Sequence, residues 1–385
     1  MTKFRVGDFV KYNIYADNAA TTAMYPEVAE IMRTYFVDDF YNPSALYRQA
    51  TKIRRQIKNA RETIASKIGA LPEEIYFTSC GSEADNWALK GFVAAHKNPV
   101  SIITSQIEHH AILNTCTFLE SRGCTVIRLP VSHTGIVNHQ AYEASLHELN
   151  LPSIVSIMLV NNEIGSVQPI KEMAVQAHKV NACFHTDAVQ AMGHIPIDVN
   201  DLHVDMLSAS AHKFHGPKGM GFLYVRNGIK IAPLIYGGGQ ENGMRAGTEN
   251  IAGIVGMAKA LELSCKNMQS DREHIAKVRQ AFLYAVREAN IDCIVNKAES
   301  NVEGTISLSI KNANGEMIVN RLDLLGIAIA TGSACNSRDM ELSSVIKALH
   351  IPMEYAVGTV RISFSADNTI GDALIVAREI AKICV

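Results

Sequence analysis

The stretch Asp205–Arg226, DMLSASAHKFHGPKGMGFLYVR, decides the fold. It opens as an apolar run and breaks into a small, polar turn, Ser208-Ala209-Ser210-Ala211-His212-Lys213. After Gly216-Pro217-Lys218-Gly219 it resumes as Gly221-Phe222-Leu223-Tyr224-Val225. This pattern reads as strand, functional turn, strand. A lysine held in such a turn between apolar walls sheds part of the solvation that keeps its ammonium charged, and a neutral amine forms Schiff bases with aldehydes. Lys213 is the candidate. The plain alternative, for it and for Lys218, is a solvated loop lysine.

Working outward, Ala182-Cys183-Phe184-His185-Thr186-Asp187 is a short apolar-rich run ending in an acid. The 26 residues from Asp187 to Lys213 leave room for one helix and the next strand of a βαβ unit. Further upstream, Ile154-Val155-Ser156-Ile157-Met158-Leu159-Val160 reads as a buried strand that stops at Asn161-Asn162-Glu163-Ile164-Gly165. Three runs thus leave polar residues at their carboxyl ends, where open α/β sheets bind ligands. An amine, hydroxyls at Ser208 and Ser210, His212 and a strand-end acid suit a phosphate-bearing aldehyde. Pyridoxal 5'-phosphate is such a cofactor, and it needs an acid opposite its ring nitrogen to act as an electron sink.

The segments YADNAATT at 15–22, NPS at 42–44, TSQIEH at 104–109, NNEIG at 161–165, HTDAVQ at 185–190, SAHKFHGPKG at 210–219, GGGQENGMRAGTEN at 237–250 and TGSAC at 331–335 occur in order over nearly the whole chain. Together they resemble the NifS/IscS-like cysteine desulfurases, class V, fold-type I pyridoxal-phosphate enzymes. The resemblance implies an α/β fold: a large cofactor domain, 20–259, with a mostly parallel sheet flanked by helices, and a smaller α+β domain made of 1–19 with 260–385. It implies pyridoxal 5'-phosphate on Lys213, with Asp187 at the ring nitrogen, Asn162 and Gln190 at the phenolic oxygen and His109 stacked on the ring and moving protons. Gly81, Ser82, Ser210 and His212 match positions around the cofactor. Thr248 matches a residue that reaches the partner subunit's phosphate, so a homodimer is implied. Arg361, with Asn162, matches the binder of the substrate carboxylate. Cys335 matches the nucleophile that takes sulfur from L-cysteine, leaving L-alanine and a persulfide for an acceptor protein, either an iron–sulfur scaffold or a tRNA-thiolation protein.

Read without the resemblance, several of these positions have ordinary alternatives. The Thr78-Ser79-Cys80-Gly81-Ser82 turn before a helix from about Glu83 is a phosphate cradle or a plain helix cap. His109 is a proton carrier or a packed histidine, and the glycines at 237–239 suit close backbone approach or a surface loop. His110, His185, His212 and His215 have no metal-type spacing, and no metal is expected.

Composition agrees with a soluble enzyme. Of 385 residues, 48% are apolar, enough for a large core, and the formal charge of −2 gives no basis for attraction to nucleic acid or anionic membrane. The N-terminal MTKFRVGDFVKYN has no apolar signal-type core, and no run approaches the roughly 18 apolar residues of a membrane span. The expectation is a cytoplasmic protein. The eight cysteines, at 80, 116, 124, 183, 265, 293, 335 and 384, contain no C-x-x-C pair. All but Cys335 read as small buried hydrophobes.

Further elements follow from periodicity: helices at Pro26–Phe36, Lys52–Ile68 with Gly69 as the stop, and onward from Glu249; strands at Ile75–Phe77 and Ile102–Thr104. In the last third, Thr305–Ile310, Ile327–Ala330 and Thr359–Phe364 read as strands, and Met317–Leu325 as a helix. The chain departs from the family pattern at Tyr47, where a histidine is usual, and at Leu342, where a proline is. The sequence stops at Val385, whereas many members continue into a tail that docks an iron–sulfur scaffold, so the sulfur acceptor stays open. Alternatives of the same fold are a selenocysteine lyase or a cysteine/cystine lyase, and outside enzymology a catalytically silent sulfur-transfer partner.

Overall fold

The computed structural model describes residues 11–150, 152–332 and 342–384; Cys335 lies outside them. Seven strands form the main sheet, in the spatial order Ile75–Thr78, Gly221–Val225, Met206–Ser210, Cys183–Asp187, Ser153–Ser156, Ser101–Ser105, Thr125–Leu129. Only Gly221–Val225 runs antiparallel to its neighbours; the remaining pairs are parallel. Six of the strands are buried or nearly so on both faces, as a helix-covered parallel sheet requires. Helices at Arg48–Ile68, Gly81–Ala94, His110–Glu120 and Ile170–Lys179 cover it. Arg48–Ile68 buries Ile53, Ile57, Ile64 and Ile68 along one stripe and ends on Gly69 in the left-handed conformation, φ 70°.

A second, antiparallel sheet has the order Ala330–Thr331, Thr359–Ser363, Thr305–Ile310, Cys293–Asn296. Helix Ile251–Glu288, 38 residues, joins the two parts. Its first turns, Ile251 to Leu261, pack into the core of the large sheet, and Ile275, Val278, Phe282 and Val286 pack into a separate core with Ile306, Leu308, Val360 and Ile362. The N-terminal strand Ile14–Tyr15 pairs with Ile327–Ala328, and Asp17 bridges to Ser363.

Three local expectations are corrected. Asp187 and Met206 are joined by turns rather than a helix: Gly193 sits at φ 80°, Pro196 follows, and the Asp198 carboxylate caps the backbone of Asn200 and Asp201. The 153-onward strand ends at Ser156, not Val160: on the Ser101–Ser105 side the Met158 N–H is taken by the Glu108 carboxylate at 3.1 and 3.0 Å, although Ile157 and Leu159 still donate to His185 and Asp187 on the other. The expected strand Ile327–Ala330 is divided between two sheets, its first half pairing with Ile14–Tyr15 and Ala330–Thr331 pairing with Val360 and Arg361.

A candidate active site at the carboxyl ends of the sheet

The carboxyl ends of the central strands open into a cavity of about 280 Å3. Each wall comes from a different strand end, which is why residues far apart in sequence meet there. Lys213, Asp187, Gln190, Asn162, His109, Gly81, Ser82, Ser210, His212 and Arg361 all line it. Thr248 does not. It is exposed and borders a separate depression with Glu241 and Arg245.

Strand Met206–Ser210 passes into a single 3-10 turn, Ala211–Lys213. The Lys213 ammonium donates to the carbonyls of Ala19 and Ala20 at 2.6 and 2.8 Å, so the amine meets backbone oxygens rather than the apolar walls expected. His194 Nε2 lies 3.0 Å from the Lys213 carbonyl, and Thr22 hydrogen-bonds the His212 carbonyl through both its N–H and its hydroxyl. The turn is thereby fixed from both sides. Lys218, by contrast, is exposed.

Asp187 ends its strand buried, 4% exposed, with Oδ1 accepting from Val189 N at 2.9 Å. Burial raises its carboxyl above the usual range, and the neighbouring His109 and Lys213 oppose the rise. Gln190 Nε2 donates to the Ala19 carbonyl, 2.9 Å, the acceptor it shares with Lys213.

His109 is the N-cap of helix His110–Glu120, and its Nδ1 accepts from Ala111 N at 3.1 Å. Burial lowers its pKa against the opposing pull of Asp187, and the charges of Lys213 and His110 add to the fall. A neutral ring with Nδ1 as acceptor carries its proton on Nε2. His212 is pushed down to about 4, mainly by burial, and its Nδ1 lies 3.1 Å from Thr21 Oγ1.

Helix Gly81–Ala94 begins at the cavity, with Gly81 and Ser82 on the wall. The leading N–H groups of a helix have no intrahelical partner and carry the positive end of the dipole. A Cβ at Gly81 would lie 2.6 Å from Val189 Cγ2, so only glycine allows this approach. Beside it, Ser210 is 2% exposed and its Oγ has no hydrogen-bond partner among the described residues. A buried hydroxyl left unpaired next to a helix N-terminus suits an anionic ligand.

Arg361, on the inner strand Thr359–Ser363, crosses from the second sheet into this cavity. Its guanidinium donates to Asp17 Oδ1 at 2.8 Å and to the Asn162 carbonyl at 3.0 Å. Its Nε is buried without a partner among the described residues.

Sequence reasoning missed four acids. Asp17 orients Arg361. Asp85 is buried on the cavity wall, its Oδ1 without a hydrogen-bond partner among the described residues and 3.8 Å from His185 Nε2, and its carboxyl is raised by burial and then by Asp187. Glu108, raised by burial to about 8, accepts from Ser105 Oγ at 2.6 Å as well as from Met158. Glu163, raised by burial to about 7, accepts from Ser343. The signal was present, since Asp17, Glu108 and Glu163 lie inside the DNAATT, IEH and NNEIG segments. His185 proves structural: fully buried between Ser156 and Ser208, at 2.9 and 3.0 Å, and pushed down to about 3. Among the described residues no group of His, Cys, Asp and Glu is arranged to hold a metal ion, and no helix is long and apolar enough to cross a membrane.

Known proteins carry the same chain plan. The aminotransferase class-V family model matches residues 14–375. A cysteine desulfurase IscS of Dictyoglomus turgidum is 44% identical over 94% of this chain and 91% of its own. Among solved structures, a NifS-like protein superposes with a TM-score of 0.90 at 34% identity, covering 97% of this chain and 99% of the other. SspA in complex with cysteine superposes at 0.80 with 36% identity, over 91% and 99%. The chain belongs to the class-V aminotransferase family, among its NifS/IscS-like cysteine desulfurases.

Proposed function

We propose that this chain is a cysteine desulfurase that moves the sulfur of L-cysteine onto Cys335, leaving L-alanine, with pyridoxal 5'-phosphate as its cofactor. The observation that carries the reading is the meeting of Lys213, Asp187, His109 and Arg361 on one cavity, in a chain whose relatives include IscS and a homologue complexed with cysteine.

The residues present fit the cofactor. The unpaired Ser210 hydroxyl and the Gly81–Ser82 helix start would hold its phosphate, together with His212 in the same wall. Asp187 would hold the proton on its ring nitrogen, Asn162 and Gln190 would face its phenolic oxygen, and Lys213 would hold its aldehyde carbon. When bound, it supplies an electron sink for the bonds at the substrate Cα. Lys213 is the base that moves the Cα proton. His109, neutral with its proton on Nε2, would cover the cofactor ring and exchange protons with the substrate. Arg361, oriented by Asp17, binds the substrate carboxylate, a planar fork matched to a planar acceptor. The Cys335 thiolate forms an S–S bond to the substrate sulfur as the C–S bond breaks; the C–S electron pair stays on the substrate carbon, which takes up a proton, and the skeleton leaves as alanine.

The partners follow from the same reading. Thr248 stands outside its own chain's cavity, and Phe36, Phe40, Leu46 and Tyr236 are 65, 63, 98 and 79% exposed; apolar surface of this kind supports a homodimer in which Thr248 serves the second site. The persulfide passes to an acceptor protein, an iron–sulfur scaffold or a tRNA-thiolation protein, in the cytoplasm. We divide the chain into a large domain of 20–259 and a small one of 1–19 with 260–385; the second core of Ile275, Phe282, Ile306 and Val360 supports this division, while Val345, Ile346 and Leu349 pack into the first core. The test is alanine formation from L-cysteine by the cofactor-loaded protein, with and without Cys335→Ser. Alanine from the wild type and none from the variant is expected; alanine formed equally by both overturns the role of Cys335, and none from either overturns the activity.

A further inference from the structure

We propose that Glu163 is a positioning residue that holds the far flank of the sulfur-accepting segment through Ser343, with Gly332 of the near flank packed close against the same carboxylate. The inference rests on the desulfurase reading and concerns how the chain places Cys335, the third residue beyond Gly332.

Glu163 is itself held rigidly. Asn161 Oδ1 accepts from the N–H groups of Glu163 and Ile164 at 2.9 and 3.0 Å, and Asn161 Nδ2 donates to the Ile107 carbonyl at 2.9 Å. Asn301 Nδ2 binds the Ile164 carbonyl at 2.8 Å, and Val302 N binds the Gly165 carbonyl at 2.9 Å. The loop is therefore fastened to the large sheet and to the second part of the chain at once. From this base the carboxylate, 4% exposed, stands on the cavity wall with Asn162, Ser344 and Arg361.

Its Oε2 bonds one flank and lies close to the other. Ser343 caps the helix Ser344–Ala348, its Oγ accepting from Val345 N and Ile346 N at 3.1 and 3.4 Å. With its lone pairs engaged there, the hydroxyl proton is given to Glu163 Oε2 at 2.5 Å. Across from it, a Cβ on Gly332 would lie 2.9 Å from the same Oε2 and 3.6 Å from Ser343 Cβ. Gly332, the last described residue before the segment holding Cys335, and Ser343, the second described residue after it, thus both lie beside this oxygen, and Ser343 is bonded to it. Packing alone does not call for an acid here. A buried carboxylate is costly, whereas an apolar side chain of similar volume would fill the space without that cost. Burial indeed raises Glu163 to about 7, against the pull of Ser343 and Arg361.

The test compares Glu163→Ala, Ser343→Ala and Glu163→Gln with the wild type, in the cofactor-loaded and the cofactor-stripped protein. The inference predicts that Glu163→Ala and Ser343→Ala bind cofactor normally and keep KM for cysteine, while kcat for alanine falls about tenfold, the worth of one hydrogen bond to a charged group. Glu163→Gln, whose amide oxygen still accepts from Ser343, restores most of the rate. In stripped protein, alkylation of Cys335 followed by mass spectrometry should run about threefold faster or more in both alanine variants, an effect below one such bond. Unchanged kcat and unchanged alkylation overturn the inference. So does a fall in cofactor loading and a rise in KM that account for the lost rate, since these place Glu163 in the cavity's own binding machinery. A wild type that forms no alanine refutes the desulfurase reading instead, and the alkylation comparison still decides the anchoring.

Discussion

Replacing Ser210 by alanine should move two properties in opposite directions. The Ser210 hydroxyl is buried and has no partner among the described residues, so the cofactor-free protein bears its desolvation without return. Leaving such a group unpaired costs about 1–3 kcal/mol. Alanine removes the oxygen and leaves the strand packing of Ser210 opposite Gly221 unchanged. The stripped variant should therefore unfold at a higher temperature than the stripped wild type. In the loaded protein the same hydroxyl meets a phosphate, and a hydrogen bond to a charged acceptor is worth about 1.5–3 kcal/mol. Cofactor affinity should fall about 10- to 150-fold. Calorimetry of the stripped proteins and spectrophotometric titration with pyridoxal 5'-phosphate read the two effects separately. A stripped variant less stable than the wild type, or one that binds the cofactor equally tightly, would refute the assignment of Ser210 as a ligand awaiting its partner.

Two further outcomes follow from the buried charges. Glu108 is raised from 4.5 to about 8 by burial; a carboxyl raised on folding gives stability that is complete below its unfolded value and is lost as pH rises through the folded one. Unfolding free energy of the stripped protein should thus decline between pH 4.5 and 8, by at most about 1.4 kcal/mol per unit for this group, and Glu108→Gln should flatten that slope in thermal melts taken across the range. Arg361→Lys replaces a fork held by Asp17 and the Asn162 carbonyl with a single point charge. It should raise KM for cysteine roughly tenfold or more while leaving cofactor affinity within a factor of about two, since the guanidinium faces the substrate; a steady-state KM equal to the wild type's would remove Arg361 from substrate binding.

The Lys213 turn was legible in sequence because an apolar strand must stop before a polar lysine can stand at a sheet end, and the second strand, Gly221–Val225, returns immediately. Helix Arg48–Ile68 was legible for a similar reason, its isoleucine stripe and Gly69 stop being local signals. What failed was decided by distant partners. Nothing in IVSIMLV announces that Glu108, fifty positions earlier, takes the Met158 N–H and ends the pairing with Ser101–Ser105. The linker from Asp187 to Met206 has the length of a helix, but the Asp198 side chain bonds its own backbone instead. The site was legible where motifs place side chains at strand ends. Asp85 and Glu163 escaped because acids on a helix or in a loop read as solvated, and only the tertiary fold shows that Ser343 and Asp187 enclose them.

The central claim is that Lys213 carries the cofactor, and borohydride reduction of the loaded protein followed by peptide mass mapping tests it most directly. The account predicts a reduced pyridoxyl adduct on Lys213, absent when Lys213→Ala protein is treated in the same way. An adduct on Lys218 or another lysine, with Lys213 unmodified, would contradict it.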